Sequence, residues 1–254
     1  MRKLMEYKII SGRTVEIRRV LMSVRRQDTL PKRRGIRVKG KTSLKKILAN
    51  EREAVKNLAR LINCNFGPGD MWLTLTYSDD RLPASIEDAA QDFAKTLRKL
   101  RAMVKKETGK NPIYIASPSQ VDPKTGETVR LHYHVVMPAI AYESIIKLWP
   151  QEDVTYRRLD GRGDYTGIAR YICSNAIREP GKKRWSSSRG LKQPIYTEPV
   201  PVRSGERVII PKNVSLKEKT EIVDAETGMQ SLYVRFTKLR NDKDGSRVSA
   251  RATH

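Results

Sequence analysis

Cysteine is almost missing from this chain of 254 residues: Cys64 and Cys173 are the only two. A pair so far apart excludes a disulfide framework and a four-cysteine zinc site, and it fits a reducing cytoplasm. Long apolar runs are missing as well. No stretch approaches the roughly 20 residues that a membrane helix needs. The N-terminal MRKLMEYKII has no apolar stretch followed by small residues, so it does not read as a secretory signal. Aromatic residues are few, at 6%. The strands therefore lack the paired surface rings of a sheet that binds RNA by stacking. The scarce charge is the negative one: 28 Asp and Glu stand against 51 Lys and Arg, a net charge of +23. An excess of that size predicts a polyanionic partner, most simply nucleic acid.

Patterning divides the chain into a basic N-terminal extension with a helix (1–60), a central domain (61–200) and C-terminal strands with a basic tail (201–254). The extension carries Arg25, Arg26, Lys32, Arg33 and Arg34, with a short strand expected over Thr14–Val20. An apolar stripe of Leu44, Ile47, Leu48, Ala54, Leu58 and Leu61 predicts a helix over 43–62. MWLTLTY (71–77) alternates large apolar residues with threonine and reads as a strand. Ser85 opens the next helix, with Asp88 three residues on as a capping partner. Strands are expected at 113–116 and 129–137 around a turn at 122–126, then a helix over 139–149, a strand over 154–159 and a helix over 165–179 stopped by Pro180. The order β-α-β-β-α-β-α is a split βαβ pattern. It predicts an α+β fold, a ferredoxin- or RRM-like palm with an antiparallel-rich sheet and helices packed on it. Further strands are expected at 208–210 and 232–236.

Histidine is nearly as rare as cysteine, with three in the chain, yet two of them sit together in RLHYHVVM as His132 and His134. In a strand, residues i and i+2 share a face roughly 7 Å apart. Two imidazoles at that spacing can bind one divalent ion and leave positions open for a substrate oxygen. A structural zinc site built from His132, His134, Cys64 and Cys173 has suitable ligand types, but the ligands are scattered over more than a hundred residues. On a helical wheel, Ile168, Ile172, Ala176, Ala169, Cys173 and Ile177 fill one half of the last helix, with Tyr165 among them. Tyr171 falls in the other half with Arg170, Ser174, Asn175 and Arg178. Tyr165 is thus expected in the core, and Tyr171 can attack a phosphodiester if its proton is lost as it attacks.

Strand MWLTLTY, strand RLHYHVVM and helix GIARYICSN, in this order and spacing, resemble the three motifs of HUH endonucleases, above all the rolling-circle replication initiators of phages and plasmids. The stretch KRWSSSRGLK (183–192) is similar to the segment after the tyrosine helix in those initiators, and the likeness covers about residues 60–200. It implies a DNA nickase in the central domain. His132 and His134, with one more ligand, would hold Mg²⁺ or Mn²⁺, and Tyr171 would form a 5′-phosphotyrosyl link, freeing a 3′-hydroxyl and later rejoining ends. Implied partners are single-stranded or origin DNA and a host helicase and polymerase.

The chain departs from that pattern in three places. Gly167 stands where some relatives carry a second tyrosine, so the second transfer needs water or another subunit. Ser174 and Asn175 stand where many carry a helper lysine. Arg170, Arg178, Lys182 or Lys183 are the expected substitutes, with Arg184 and Arg189 as further DNA contacts. No carboxylate occurs in 113–120, the strand expected beside the histidines. Gln120 is the best oxygen donor there by type and Ser117 the next, with Asp79 and Asp80 as further acids. A one-tyrosine transposase or mobilisation relaxase shares the chemistry; a non-catalytic nucleic-acid binder is the reading of another class.

Overall fold

The computed structural model describes residues 2–23, 43–122, 124–150, 152–177, 184–223 and 230–239. Arg25, Arg26, Lys32, Arg33, Arg34, Arg178, Lys182 and Lys183 lie outside them. In chain order the elements are β1 (Arg2–Ser11), β2 (Thr14–Ser23), α1 (Leu44–Asn65), β3 (Met71–Tyr77), α2 (Ile86–Thr108), β4 (Ile115–Val121), β5 (Thr128–Met137), α3 (Tyr142–Leu148), β6 (Glu152–Arg158), α4 (Thr166–Asn175), β7 (Ser186–Ser187), β8 (Ile195–Tyr196), β9 (Val200–Pro201), β10 (Val214–Val223) and β11 (Gln230–Lys238). They fall into two compact units, Thr42–Gln193 and the combination of Met1–Lys41 with Pro194–His254.

The central unit is built on a five-stranded sheet in the order β6-β3-β5-β4-β7. Every pairing along it is antiparallel. β3 and β4 are therefore parallel to each other with β5 between them, and β5 and β6 are parallel with β3 between. These are two interleaved βαβ units, the split pattern expected from the element order. The alternation in MWLTLTY decides which side chains go where. Met71, Leu73, Leu75 and Tyr77 are buried on the face that α2 and α3 cover, together with Tyr133, Val135 and Met137 of β5. Phe93 of α2 stacks on Tyr133 at 4.1 Å, nearly parallel. α2 starts as expected: Ser85 Oγ accepts from the Asp88 amide at 3.1 Å and donates to the Asp88 carboxylate at 2.6 Å. It ends on Gly109 in the left-handed region, with φ 71°.

α1 and α4 pack on the opposite side. Leu58, Ala59 and Ile62 meet Ala169, Ile172 and Cys173, over Ile115 and Val136 of the sheet. The α1 stripe is buried only in its second half; Leu44, Ile47 and Leu48 are exposed. α4 is shorter than its apolar spacing predicts. It stops at Asn175 because Ala176 leaves the helix to form a β-bridge with Ser119.

The other unit corrects two expectations. The N-terminal segment is a full hairpin, with β1 and β2 paired from Arg2↔Ser23 to Ser11↔Thr14 around Gly12 at φ 57°. It belongs to a six-stranded antiparallel sheet in the order β10-β11-β2-β1-β8, with β9 also on β1. Residues 208–210 are not a strand. Val208 and Ile210 instead pack from a loop onto Val15, Ile17, Val234 and Phe236, which explains their apolar character. Arg19, 6% exposed, is held by Glu6 at 2.7 Å and by the Glu206 carbonyl. No helix among the described residues is long and apolar enough to cross a membrane.

Candidate active site

Residues directly opposite in antiparallel strands share a sheet face. On the face away from α2 the register therefore builds three rows. Trp72 of β3, Val136 of β5 and Ile115 of β4 form the first; Thr74, His134 and Ser117 the second; Thr76, His132 and Ser119 the third. The two histidines project from the middle strand, as the i, i+2 spacing predicts. Their Nε2 atoms are 3.2 Å apart. His132 Nδ1–H donates to the Arg130 carbonyl at 2.8 Å, which leaves its Nε2 as a bare lone pair. His134 Nδ1 lies 3.3 Å from Thr74 Oγ1.

Both imidazoles are held neutral. Burial, and secondarily the neighbouring His132, pushes the His134 pKa down to about 3. Burial also lowers that of His132, against a weaker opposing effect of its bond to Arg130. Neutral imidazole is the form that binds a metal. The spacing fits as well. Two nitrogens on one cation at about 2.1 Å, with angles between octahedral and tetrahedral, lie roughly 3.0–3.4 Å apart. Among the described residues no third His, Cys, Asp or Glu joins the pair.

α4 brings Tyr171 onto this face. Its ring meets His134 at 5.1 Å and Trp72 at 5.3 Å, both edge-on. The side chain is still 41% exposed, so a large substrate can reach the phenol. Tyr165 is buried, as its side of the wheel predicts. Its hydroxyl donates to the Asp160 carbonyl at 2.8 Å, and its backbone amide donates to Asn63 Oδ1 at 2.9 Å.

The remaining sequence candidates separate. Ser117 Oγ donates to the Arg184 carbonyl at 2.7 Å. Gln120 is half-buried, one residue past Ser119, where the β4–β5 register breaks. Among the described residues no contact joins it to either imidazole. Asp79 pairs with Arg130 at 2.7 Å, and Asp80 faces Arg81. Hydrogen bonding to Ser78 holds the Asp80 carboxyl low. Cys64 and Cys173 are free thiols in the α1–α4 packing layer. Arg170 and Arg189 are exposed, whereas Arg184 is paired with Glu51 at 3.5 Å.

Two site residues escape a reading by residue chemistry. Trp72 Nε1 and Asn175 Oδ1 are buried with no hydrogen-bond partner. Alternation in MWLTLTY already places Trp72 on the histidine face. Asn175 lies four residues after Tyr171, on the same side of the helix.

Residues 70–176 match the model of a family described as replication-associated protein ORF2. The matched segment runs from the start of β3 to the β-bridge after α4, so it contains both histidines, Tyr171 and Asn175 and leaves out Arg184 and Arg189. It covers less than half of the chain and ties this segment to a replication-associated family. No curated protein and no solved structure matches the chain.

Proposed function

We propose that this chain is a replication initiator that nicks one DNA strand through a tyrosyl–phosphate intermediate, in the manner of a one-tyrosine HUH endonuclease. The observation that carries the reading is the exposed Tyr171 ring in edge contact with His134, whose Nε2 faces that of His132 at 3.2 Å. The match of this same segment to a replication-associated family supports it.

His132 and His134 would hold Mg²⁺ or Mn²⁺. When bound, the ion supplies charge neutralisation and orientation for the phosphate oxygens. Trp72 and His134 fix the Tyr171 ring from two sides. Tyr171 Oη attacks the phosphorus as its proton is lost, and the bond from phosphorus to the 3′ oxygen breaks. The departing oxygen takes up a proton from solvent and leaves as a free 3′-hydroxyl, while the 5′ phosphate stays on Tyr171. Attack by a 3′-hydroxyl reverses the step and rejoins the ends. Arg170 and Arg189 are exposed and suit phosphate contacts. A host helicase and polymerase would use the freed 3′ end.

The experiment is incubation of the protein with a labelled pool of single-stranded oligonucleotides and Mn²⁺. An adduct that survives denaturation is expected for the native chain and none for Tyr171→Phe. His132→Ala and His134→Ala should lose the adduct and keep DNA binding, which rests on many Lys and Arg contacts and falls steeply with salt. Binding without any adduct by the native chain would establish a non-catalytic binder instead.

A further inference from the structure

We infer that Asn175 Oδ1 is the third protein ligand for the divalent ion at the histidine pair. The inference rests on the metal-dependent reading above and names the donor that reading lacks. Asn175 is 1% exposed, yet its Oδ1 has no hydrogen-bond partner. A buried carbonyl oxygen left without a donor costs free energy unless something positive meets it.

The fold places this oxygen beside the histidines by two routes. Along α4, Asn175 follows Tyr171 by four residues, so the two share a helix face, and the Tyr171 ring already touches His134. Across the sheet, the Asn175 backbone carbonyl accepts from Ser119 Oγ at 2.7 Å, and the next residue, Ala176, bridges to Ser119. Ser119 is the residue directly opposite His132. The end of α4 is thus fastened to the strand neighbouring the histidines, and the side chain fastened there carries an acceptor without a donor. A neutral amide oxygen is a suitable ligand for Mg²⁺ or Mn²⁺, which favour oxygen donors. Gln120, the amide favoured by sequence, lies past the register break and makes no described contact with the imidazoles.

The test is Mn²⁺ binding by the full chain without DNA, followed by calorimetry and by the rise in melting temperature that Mn²⁺ produces. Asn175→Leu removes the oxygen at similar volume. It should weaken Mn²⁺ about tenfold or more, a loss of the size seen when metal-site residues are removed. The metal-free variant should melt no lower than the native chain, because the orphaned acceptor is gone. Asn175→Asp keeps an oxygen and should bind Mn²⁺ at least as tightly as the native chain. Gln120→Ala should bind like the native chain. Unchanged Mn²⁺ affinity in a folded Asn175→Leu, or a loss confined to Gln120→Ala, would overturn the assignment while leaving the histidine site intact. Mn²⁺ binding that survives His132→Ala and His134→Ala together would instead remove the metal reading on which the inference rests.

Discussion

The two faces of the central sheet are made by the same strands, yet one is closed and the other is not. Toward α2, the odd-numbered residues Met71 to Tyr77 and their partners on β5 are apolar and packed; Phe93 stacks on Tyr133, and the Tyr77 ring meets Trp149 at 4.9 Å. Toward α4, Thr74, His134, Ser117, Thr76, His132 and Ser119 fill equivalent positions with polar groups. Several of them are as buried as the far core: Ser117 and Ser119 are 0% exposed and His134 is 2% exposed. The difference lies in satisfaction, not depth. The closed face keeps its energy in contacts within the chain. The open face leaves a pair of imidazole nitrogens, an indole N–H and an amide oxygen to be completed from outside.

Damage to the closed face should therefore appear as lost stability. Tyr133→Ala removes the ring that stacks on Phe93 and should cost about 3–5 kcal/mol in denaturant melts. Any protein still folded should form the DNA adduct; an intact fold with no adduct would break the division between faces. A smaller effect is expected on the open face in acid, without metal. The folded His134 pKa, near 3, lies below the ordinary value of 6.5, so the unfolded chain takes up the proton first. The contribution of His134 to stability is complete above about pH 6.5 and is lost progressively as the pH falls toward 3. Melts of the metal-free native chain and of His134→Leu at pH 7 and pH 5 should show the larger acid loss in the native chain. The smallest effect separates the two tyrosines of the α4 region. Tyr165→Phe gives up one hydrogen bond to the Asp160 carbonyl and should cost about 1 kcal/mol. Adduct formation should be unchanged, and a phosphotyrosyl peptide containing residue 165 would show that the wrong tyrosine had been assigned.

Local pattern made most of the sheet unit legible. MWLTLTY and RLHYHVVM alternate strongly enough to fix both strand and face, and the Ser85 cap announced α2. The wheel separated Tyr165 from Tyr171 because α4 has one clear apolar stripe. What stayed hidden depends on distant partners. In β1, Lys3, Glu6 and Lys8 interrupt the alternation, and the strand is stabilised by pairing with residues as far away as Val200 and Pro201. Val208–Ile210 has strand-like composition because it is a buried cover, a distinction that composition does not carry. Asn175 sits on the polar half of the wheel and is nevertheless buried, because the chain leaves the helix there to bridge Ser119. The N-terminal and C-terminal strands of the other unit carry no comparable signal of their shared sheet.

The interleaving of the two βαβ units also sets an order of events during synthesis. β3 emerges early, and both strands that flank it come much later: Met71 pairs with Met137 on one edge and with Arg158 on the other. Until then an apolar strand has two open edges, a species prone to aggregate. Sheets closed by such non-local pairs form slowly. Slower or cooler expression should therefore raise the yield of soluble chain, and because Tyr171 follows β6, the nascent chain carries its histidine pair before it carries its nucleophile.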